Sequence, residues 1–486
     1  MESTSGAGAG FDGVLGRNDA KRGLQAGAVM EYADFIKSKI LQSGTYGFDA
    51  VVENETLFPF QRECVRWTLK KGRAALFQGC GVGKTRQSLV WAENVHQKTN
   101  GDVLILAPLA VSKQTAREGR TIGIQVNLCR KQEDVKKGIN ITNYEMVDHF
   151  DVSLFSAIVC DESSLLKCLT GKTRTKLIKK FSATPYRLCC TATPAPNDYT
   201  ELGNHAEFLG LMSVQEMLSR WFINDAFNVG DWRLKKHAES DFWRWVGTWA
   251  ICMTRPSDIG YPDDGYNLPP LTTVRHVLKQ DMTDFEHGLL VKKSKPSATE
   301  LRREMKKSIE DRCDKAAELA GGNDPVILWC NTNDEADALQ SRIKDAQEVR
   351  GSMTADRKEN ILEEFATGNL RALITKPSIA GHGMNFQHCN RMIFVGLSYS
   401  FEERYQAVRR CWRFGQKREV FDHVVMGESE VSIFDTVKEK ENSHLEMERA
   451  MAGSINQFSS DNGIRYRDYN AEKSIILPKF IKGRAA

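Results

Sequence analysis

The chain has 486 residues, with 67 Lys and Arg against 63 Asp and Glu, and 41% hydrophobic residues. That length allows two or three domains, each with its own core. The net charge of +4 is too small for nucleic-acid binding through bulk charge, so any such surface must be a local stripe.

The longest apolar run, VLILAPLAV at 103–111, is too short to cross a bilayer. The N-terminus has neither the basic start nor the apolar core of a signal peptide. A soluble, cytoplasmic chain with no membrane partner is expected. The twelve cysteines are scattered and make no CxxC pair; several, including Cys160, Cys189, Cys190 and Cys330, fall inside apolar runs. Reduced core thiols follow. The ten histidines form no ligand-like cluster, and no structural metal is expected.

In chain order, residues 1–30 are rich in Gly, Ala and Ser and predict a flexible leader. Residues 31–205 alternate strand-like runs (RAALFQ, VLILAP, INITNYE, SAIVCDE, YRLCCTAT) with helical stretches, the pattern of a parallel sheet covered by helices. Residues 206–300 hold Trp221, Trp232, Trp243, Trp245 and Trp249 among helix-compatible charges and close in RPSDIGYPDDGYNLPP, predicting a helical protrusion followed by a turn-rich linker. Those tryptophans are read as packing residues, with a strand-separating wedge as the alternative. Ser297 and Glu300 have capping-box spacing ahead of a helix that ends at Gly321 and Gly322. A second alternating unit fills 301–440, and 441–486 form a polar C-terminal tail.

Chemistry is concentrated in FQGCGVGKT, Phe77–Thr85. Gly79, Gly81 and Gly83 let consecutive backbone N–H groups converge on phosphate oxygens, the helix start adds its positive dipole end, and Lys84 reaches the outer phosphates. Thr85 offers a hydroxyl to Mg²⁺. Gln78 stands where the general signature has glycine. A triphosphate site also needs a metal-holding carboxylate and a group to activate water. Asp161 and Glu162, in SAIVCDESS, supply both.

Taken together, the ordered motifs resemble the superfamily-two helicases and translocases, most closely the Swi/Snf-type branch, over roughly residues 55–425. LFPFQRECVRWTL resembles the motif before the loop, FQGCGVGKT motif I, LILAPLAVSKQ motif Ia, ITNYEM motif Ib, DESS motif II and TATP motif III. PVILWCNT resembles motif IV, SIAGHGMNF motif V with a glycine stretch one residue shorter, and QAVRRCWRFGQ motif VI.

The resemblance implies two tandem RecA-like P-loop lobes of α/β fold with parallel sheets, joined by a helical insertion. It implies ATP and Mg²⁺ as ligands, Gln61 as adenine reader with Phe58 or Phe60 on the base, and Gly383 and Gln406 at the nucleotide. Arg410 and Arg413 become arginine fingers, and Thr191 and Thr193 couple nucleotide to polymer. Pro108, Ser112, Thr142, Asn331, Thr332 and Ser378 are implied nucleic-acid contacts. RLKK at 233 and KLIKK at 176 are read as added phosphate contacts or solvated faces.

The implied activity is that of a monomeric, compact bacterial or phage-type motor on double-stranded DNA. It would work beside replication, recombination or repair proteins. The alternatives are a strand-separating or RNA-directed helicase, a restriction-type motor subunit, and a non-catalytic scaffold switched by ATP. Gln78 falls where Swi/Snf-type motors depart from the general loop, and Gln78→Gly is expected to leave ATPase activity largely intact.

Overall fold

Runs such as VLILA and AIVC are apolar at every position, which suits strands covered on both faces, and Val103–Ala107 and Ala157–Cys160 are buried throughout. They belong to a computed structural model that describes residues 46–108, 111–168, 171–196, 198–224, 232–279, 303, 305–381 and 385–456. The leader expected over 1–30 and the residues beyond 456 lie outside the described residues. Everything described falls within one unit, Ser43–Tyr469.

The strands are β1 (Arg73–Gln78), β2 (Asp102–Ala107), β3 (Val126–Leu128), β4 (Ile139–Asn143), β5 (Phe155–Asp161), β6 (Tyr186–Thr191), β7 (Phe222–Asn224) and β8 (Trp232–Leu234). There follow β9 (Ala250–Met253), β10 (Leu271–Leu278), β11 (Val326–Cys330), β12 (Ala346–Val349), β13 (Ala372–Thr375), β14 (Arg391–Val395) and β15 (Val420–Gly427). The first lobe is a seven-stranded sheet ordered β3-β4-β2-β5-β6-β1-β9, and the second a six-stranded sheet ordered β10-β15-β14-β11-β13-β12. Every neighbouring pair in both is parallel. The chain therefore has the two RecA-like α/β lobes that the motif order implies.

The segment 206–300 departs from its expectation as protrusion and linker only. It contains helices Val214–Trp221 and Glu239–Val246 and the small antiparallel pair β7–β8. Yet it also donates an edge strand to each sheet: β9 pairs with β1, and β10 pairs with β15. A four-residue strand among tryptophans is too short to show a period of two. Its partner is fixed only by the folded sheet.

Trp221, Trp243, Trp245 and Trp249 are all buried, with Trp221 stacked on Trp245 at 4.7 Å between ring centroids and its Nε1 donating to Asp241 Oδ2 at 2.8 Å. These four rings build a core. The tail expected from 441 begins inside one helix, Val431–Asn456. Ile433, Val437, His444, Met447 and Met451 recur at helical spacing and are buried. His444 packs 5.3 Å from the rings of Phe401 and Tyr405, and Met451 Sδ lies 3.2 Å from Cys252 Sγ on β9. The helix so links the second lobe to the edge of the first sheet. Eleven cysteines are free thiols, Cys80 half-buried and the other ten buried.

A candidate nucleotide cleft between the lobes

Ligand sites of parallel sheets lie beyond the carboxyl ends of the strands. After β1, the loop Gly79–Gly83 leads into the helix Lys84–Thr99, whose first residue follows Gly83 at φ +92°. Gly81 is also left-handed, at φ +90°, and both positions are close-packed. A Cβ on Gly83 would lie 2.3 Å from Gln61 Nε2, and one on Gly81 would lie 3.1 Å from Phe414 N in the other lobe. Glycine is thus required twice, by conformation and by room.

Three glutamines hold the loop. Gln61 donates from Nε2 to the Val82 carbonyl at 2.8 Å and accepts from Phe58 N at 2.9 Å. Gln78 and Gln87 form a reciprocal amide pair, Gln78 Nε2 donating to Gln87 Oε1 at 2.9 Å and Gln87 Nε2 donating back to Gln78 Oε1 at 2.8 Å. Both are fully buried. The residue that departs from the general signature is therefore a clasp between β1 and the helix after the loop. Glycine there would leave Gln87 buried and underbonded, a structural cost beside the expectation that Gln78→Gly leaves ATPase activity largely intact. Lys84 Nζ donates to the carbonyls of Gln78 at 2.8 Å and Gly79 at 3.2 Å.

Asp161 ends β5, with its Oδ1 accepting from Glu162 N at 3.1 Å. Burial, then the charge of Glu162, pushes its carboxyl up to about 7, against the pull of Lys84. Glu162 adopts φ +50°, one of two non-glycine residues in the left-handed region among those described. Such backbone costs about 1–3 kcal/mol and gathers at working sites. Its Oε2 is buried without a hydrogen-bond partner and lines the cleft with Asp161, Lys84 and Thr85. Two crowded carboxylates and a hydroxyl fit a hard, mostly hydrated divalent cation that takes its other ligands from phosphates. No cluster of three or more His, Cys, Asp or Glu suited to a metal occurs among the described residues.

The second lobe closes the same cleft of about 330 Å³ with Asn385, Gln387, Arg410, Arg413 and Phe414. Arg410 Nη2 donates to Gln406 Oε1 at 2.9 Å and its Nε to the Gln406 carbonyl at 3.1 Å. Burial, then the neighbouring Arg410 charge, pushes Arg413 down to about 10. Arg410 is buried and Arg413 half-buried, and two guanidiniums side by side favour an anion between the lobes. Gln406 also accepts from Cys80 Sγ of the loop at 3.7 Å. Gly383 lies outside the described residues.

Thr193 and Thr191 are both fully buried; Thr193 N donates to Thr191 Oγ1 at 3.1 Å, and Thr193 Oγ1 donates to Glu402 Oε1 of the second lobe at 3.0 Å. The expected nucleic-acid residues separate by exposure. Ser378 is exposed, and Pro108 and Asn331 are half-buried. Thr332 caps the helix Asn333–Arg342, its hydroxyl accepting from Glu335 N at 3.2 Å. Ser112 and Thr142 are buried, and the hydroxyls of both lie buried without a hydrogen-bond partner. Sequence reasoning missed Tyr266, Gln114, Thr115, Glu118, Asn385 and Gln387 at the cleft. Gln114, Asn385 and Phe414 carried a signal, their places inside LILAPLAVSKQ, SIAGHGMNF and QAVRRCWRFGQ.

Two families match this chain: the SNF2-related domain over residues 60–239 and the helicase conserved C-terminal domain over residues 311–415. Similar proteins include eukaryotic initiation factor 4A of Dictyostelium discoideum, 29% identical over 96 residues, which are 19% of this chain and 24% of that protein. The ATP-dependent RNA helicase eIF4A of Schizosaccharomyces pombe is 25% identical over 125 residues, 25% of this chain and 31% of its own length. The ATP-dependent RNA helicase fal1 of Botryotinia fuckeliana is 26% identical over 96 residues, 19% of this chain and 24% of its own. The matches thus span a quarter to a third of these curated relatives. No described helix is long and apolar enough to cross a membrane.

Proposed function

Since the chain belongs to the superfamily-two helicases of the Swi/Snf type, we propose that it hydrolyses ATP to ADP and phosphate in this cleft and uses the cycle to move along nucleic acid, with duplex DNA as the track. One observation carries the reading: Lys84, Asp161 and Glu162 from one lobe and Arg410 and Arg413 from the other line a single cleft.

In this mechanism the N–H groups of Gly79, Gly81 and Gly83, with Lys84, hold the outer phosphates. Thr85 and Asp161 would hold Mg²⁺, which neutralises phosphate charge when bound. Glu162 takes the proton of a water whose oxygen bonds to the γ-phosphorus, while the bond to the β–γ bridging oxygen breaks and ADP leaves. Arg410 and Arg413 stabilise charge on the equatorial oxygens, a role that contributes about 10³ to 10⁵ in rate in related phosphoryl-transfer enzymes. Because the fingers and the loop sit on different lobes, each hydrolysis event changes the lobe contact, and Thr193 with Glu402 transmits it.

The track we assign passes Pro108, Asn331 and Ser378. Phosphate contacts there would be independent of sequence. We further assign a monomer acting in replication, recombination or repair in a bacterial or phage-infected cytoplasm. A second reading, movement on RNA, is favoured by the RNA helicases among the relatives.

The test is hydrolysis by the purified chain alone and with duplex DNA, single-stranded DNA, forks and RNA. Duplex DNA is expected to raise turnover, and Lys84→Ala to abolish it. Turnover indifferent to every nucleic acid refutes the motor. Stronger stimulation by RNA replaces the DNA reading, and fork unwinding replaces translocation by strand separation.

A further inference from the structure

Glu162, the group assigned to take the proton of the attacking water, holds a left-handed backbone at φ +50°. The other non-glycine residue in that region among those described is Asn100, at φ +53°, which caps the end of the helix Lys84–Thr99. Asparagine tolerates such a position. Glutamate does so only where the residues on either side are held in place, so the bonds around Glu162 are those that keep it there.

Upstream, Tyr144 Oη donates to the Asp161 carbonyl at 2.8 Å. Downstream, Ser163 N donates to the Cys190 carbonyl at 2.9 Å, and the Ser163 hydroxyl shares a hydrogen bond of 3.1 Å with His205 Nε2. Both Ser163 and His205 are buried, a setting in which water does not replace a lost partner. His205 lies on the helix Leu202–Leu209, and its ring meets Phe77 edge-on, with centroids 5.0 Å apart at 76°. Phe77 precedes Gln78 on β1, the strand that feeds the phosphate loop. The imidazole is thus wedged between that strand and the residue that follows Glu162.

An apolar side chain could fill the space beside Phe77, but it would offer Ser163 no polar atom. We propose that His205 is a positioning residue for hydrolysis: through Ser163 it fixes the left-handed turn at Glu162 and so directs that carboxylate into the cleft, with Oε2 left for water. It rests on the reading of Glu162 as proton acceptor and deepens it. Neither Ser163 nor His205 is among the residues that line the cleft, so their effect reaches the reaction through Glu162 and not through the nucleotide. The same helix packs on the protrusion, since a Cβ on Gly203 would lie 2.9 Å from Met217 Cε, in the helix Val214–Trp221. The setting of Glu162 is thereby tied to the inserted segment.

The experiment measures kcat and KM for ATP with duplex DNA, and hydrogen exchange of residues 160–166, on the full chain and its variants Ser163→Ala, His205→Ala, His205→Gln and Ser163→Ala/His205→Ala. Loss of a bond that holds a strained backbone is expected to lower kcat about tenfold in either alanine variant, with KM for ATP unchanged. The double variant should be no slower than either single, because both act through one bond. His205→Gln, whose amide can replace Nε2, should recover most of the rate. Losses that multiply in the double variant, a His205→Gln as slow as His205→Ala, or a rise in KM with kcat intact would each reduce His205 to core packing and overturn the proposal. Ser163→Ala removes a single oxygen and keeps the test decisive should His205→Ala fold poorly. Exchange of residues 160–166 should quicken in the alanine variants, and unchanged exchange refutes the clamp. If the unaltered chain hydrolyses no ATP, the ATPase reading fails, while exchange still decides whether Ser163 and His205 hold the turn.

Discussion

Replacing Gln78 tests whether the clasp under the phosphate loop is structural. Its amide exchanges two hydrogen bonds with Gln87, at 2.9 and 2.8 Å, in a fully buried setting. In Gln78→Leu, Gln87 Oε1 loses its donor, and Gln87 Nε2 keeps only the 3.3 Å bond to the Val82 carbonyl. A buried polar group left in that state costs about 1–3 kcal/mol. Gln87→Leu strands Gln78 in the same way and costs a similar amount. Replacing both removes the orphan as well as the bond, so the double variant is expected to cost about as much as one single, which gives a coupling energy of about 1–3 kcal/mol.

Urea unfolding of the four proteins measures this directly, and hydrogen exchange of the 73–90 segment reports whether the effect is local. Strictly additive losses would show that the two amides do not depend on each other and would refute the clasp. The Val82 carbonyl also accepts from Gln61, so the loop itself should loosen. KM for ATP is expected to rise in the single variants more than in the double.

Two further outcomes follow from buried charge. Arg312 is fully buried, with Nη1 2.8 Å from Glu335 Oε1 and Nε 3.5 Å from Glu430 Oε2, and burial pushes Glu430 up even though Arg312 pulls it down. Arg312→Met should cost about 3–5 kcal/mol in urea unfolding by stranding both carboxylates, and a loss under about 1 kcal/mol would refute the network. His276 Nε2 and His423 Nδ1 share a hydrogen bond of 3.1 Å between β10 and β15; burial lowers both below the ordinary 6.5, with further lowering of His276 by Lys315 and of His423 by His276. Their contribution is therefore complete above 6.5 and is lost as pH falls, because the unfolded chain takes up protons that the folded chain resists. Unfolding temperature should drop with acidification less steeply in a His276→Gln/His423→Gln variant, and identical slopes would overturn this.

The motifs were legible because their chemistry is local. A strand, a glycine loop and Lys84-Thr85 at a helix start, or Asp161-Glu162 at a strand end, are contiguous in sequence, and their spacing alone states what they can bind. The alternation of apolar runs likewise determined two parallel α/β lobes, since fully apolar runs between amphipathic helices have few other ways to be covered. Other features have no local signal. β9 is only four residues long, β9 and β10 pair with strands far along the chain, and Thr142 belongs to a motif yet is buried. The helix Val431–Asn456 spaces its buried residues about one per turn among charges, and only the folded chain shows that this face packs against Phe401, Tyr405 and Cys252. Gln78 read as a tolerated oddity because its bond partner, Gln87, is nine residues away across a turn of the fold. Tyr266 and Phe414 meet Phe58 only when linker and lobes are assembled. The sequence by itself determined which groups are present and which element carries each; the tertiary structure decided which of them share a cleft, because proximity between distant segments is set by packing and not by order in the chain.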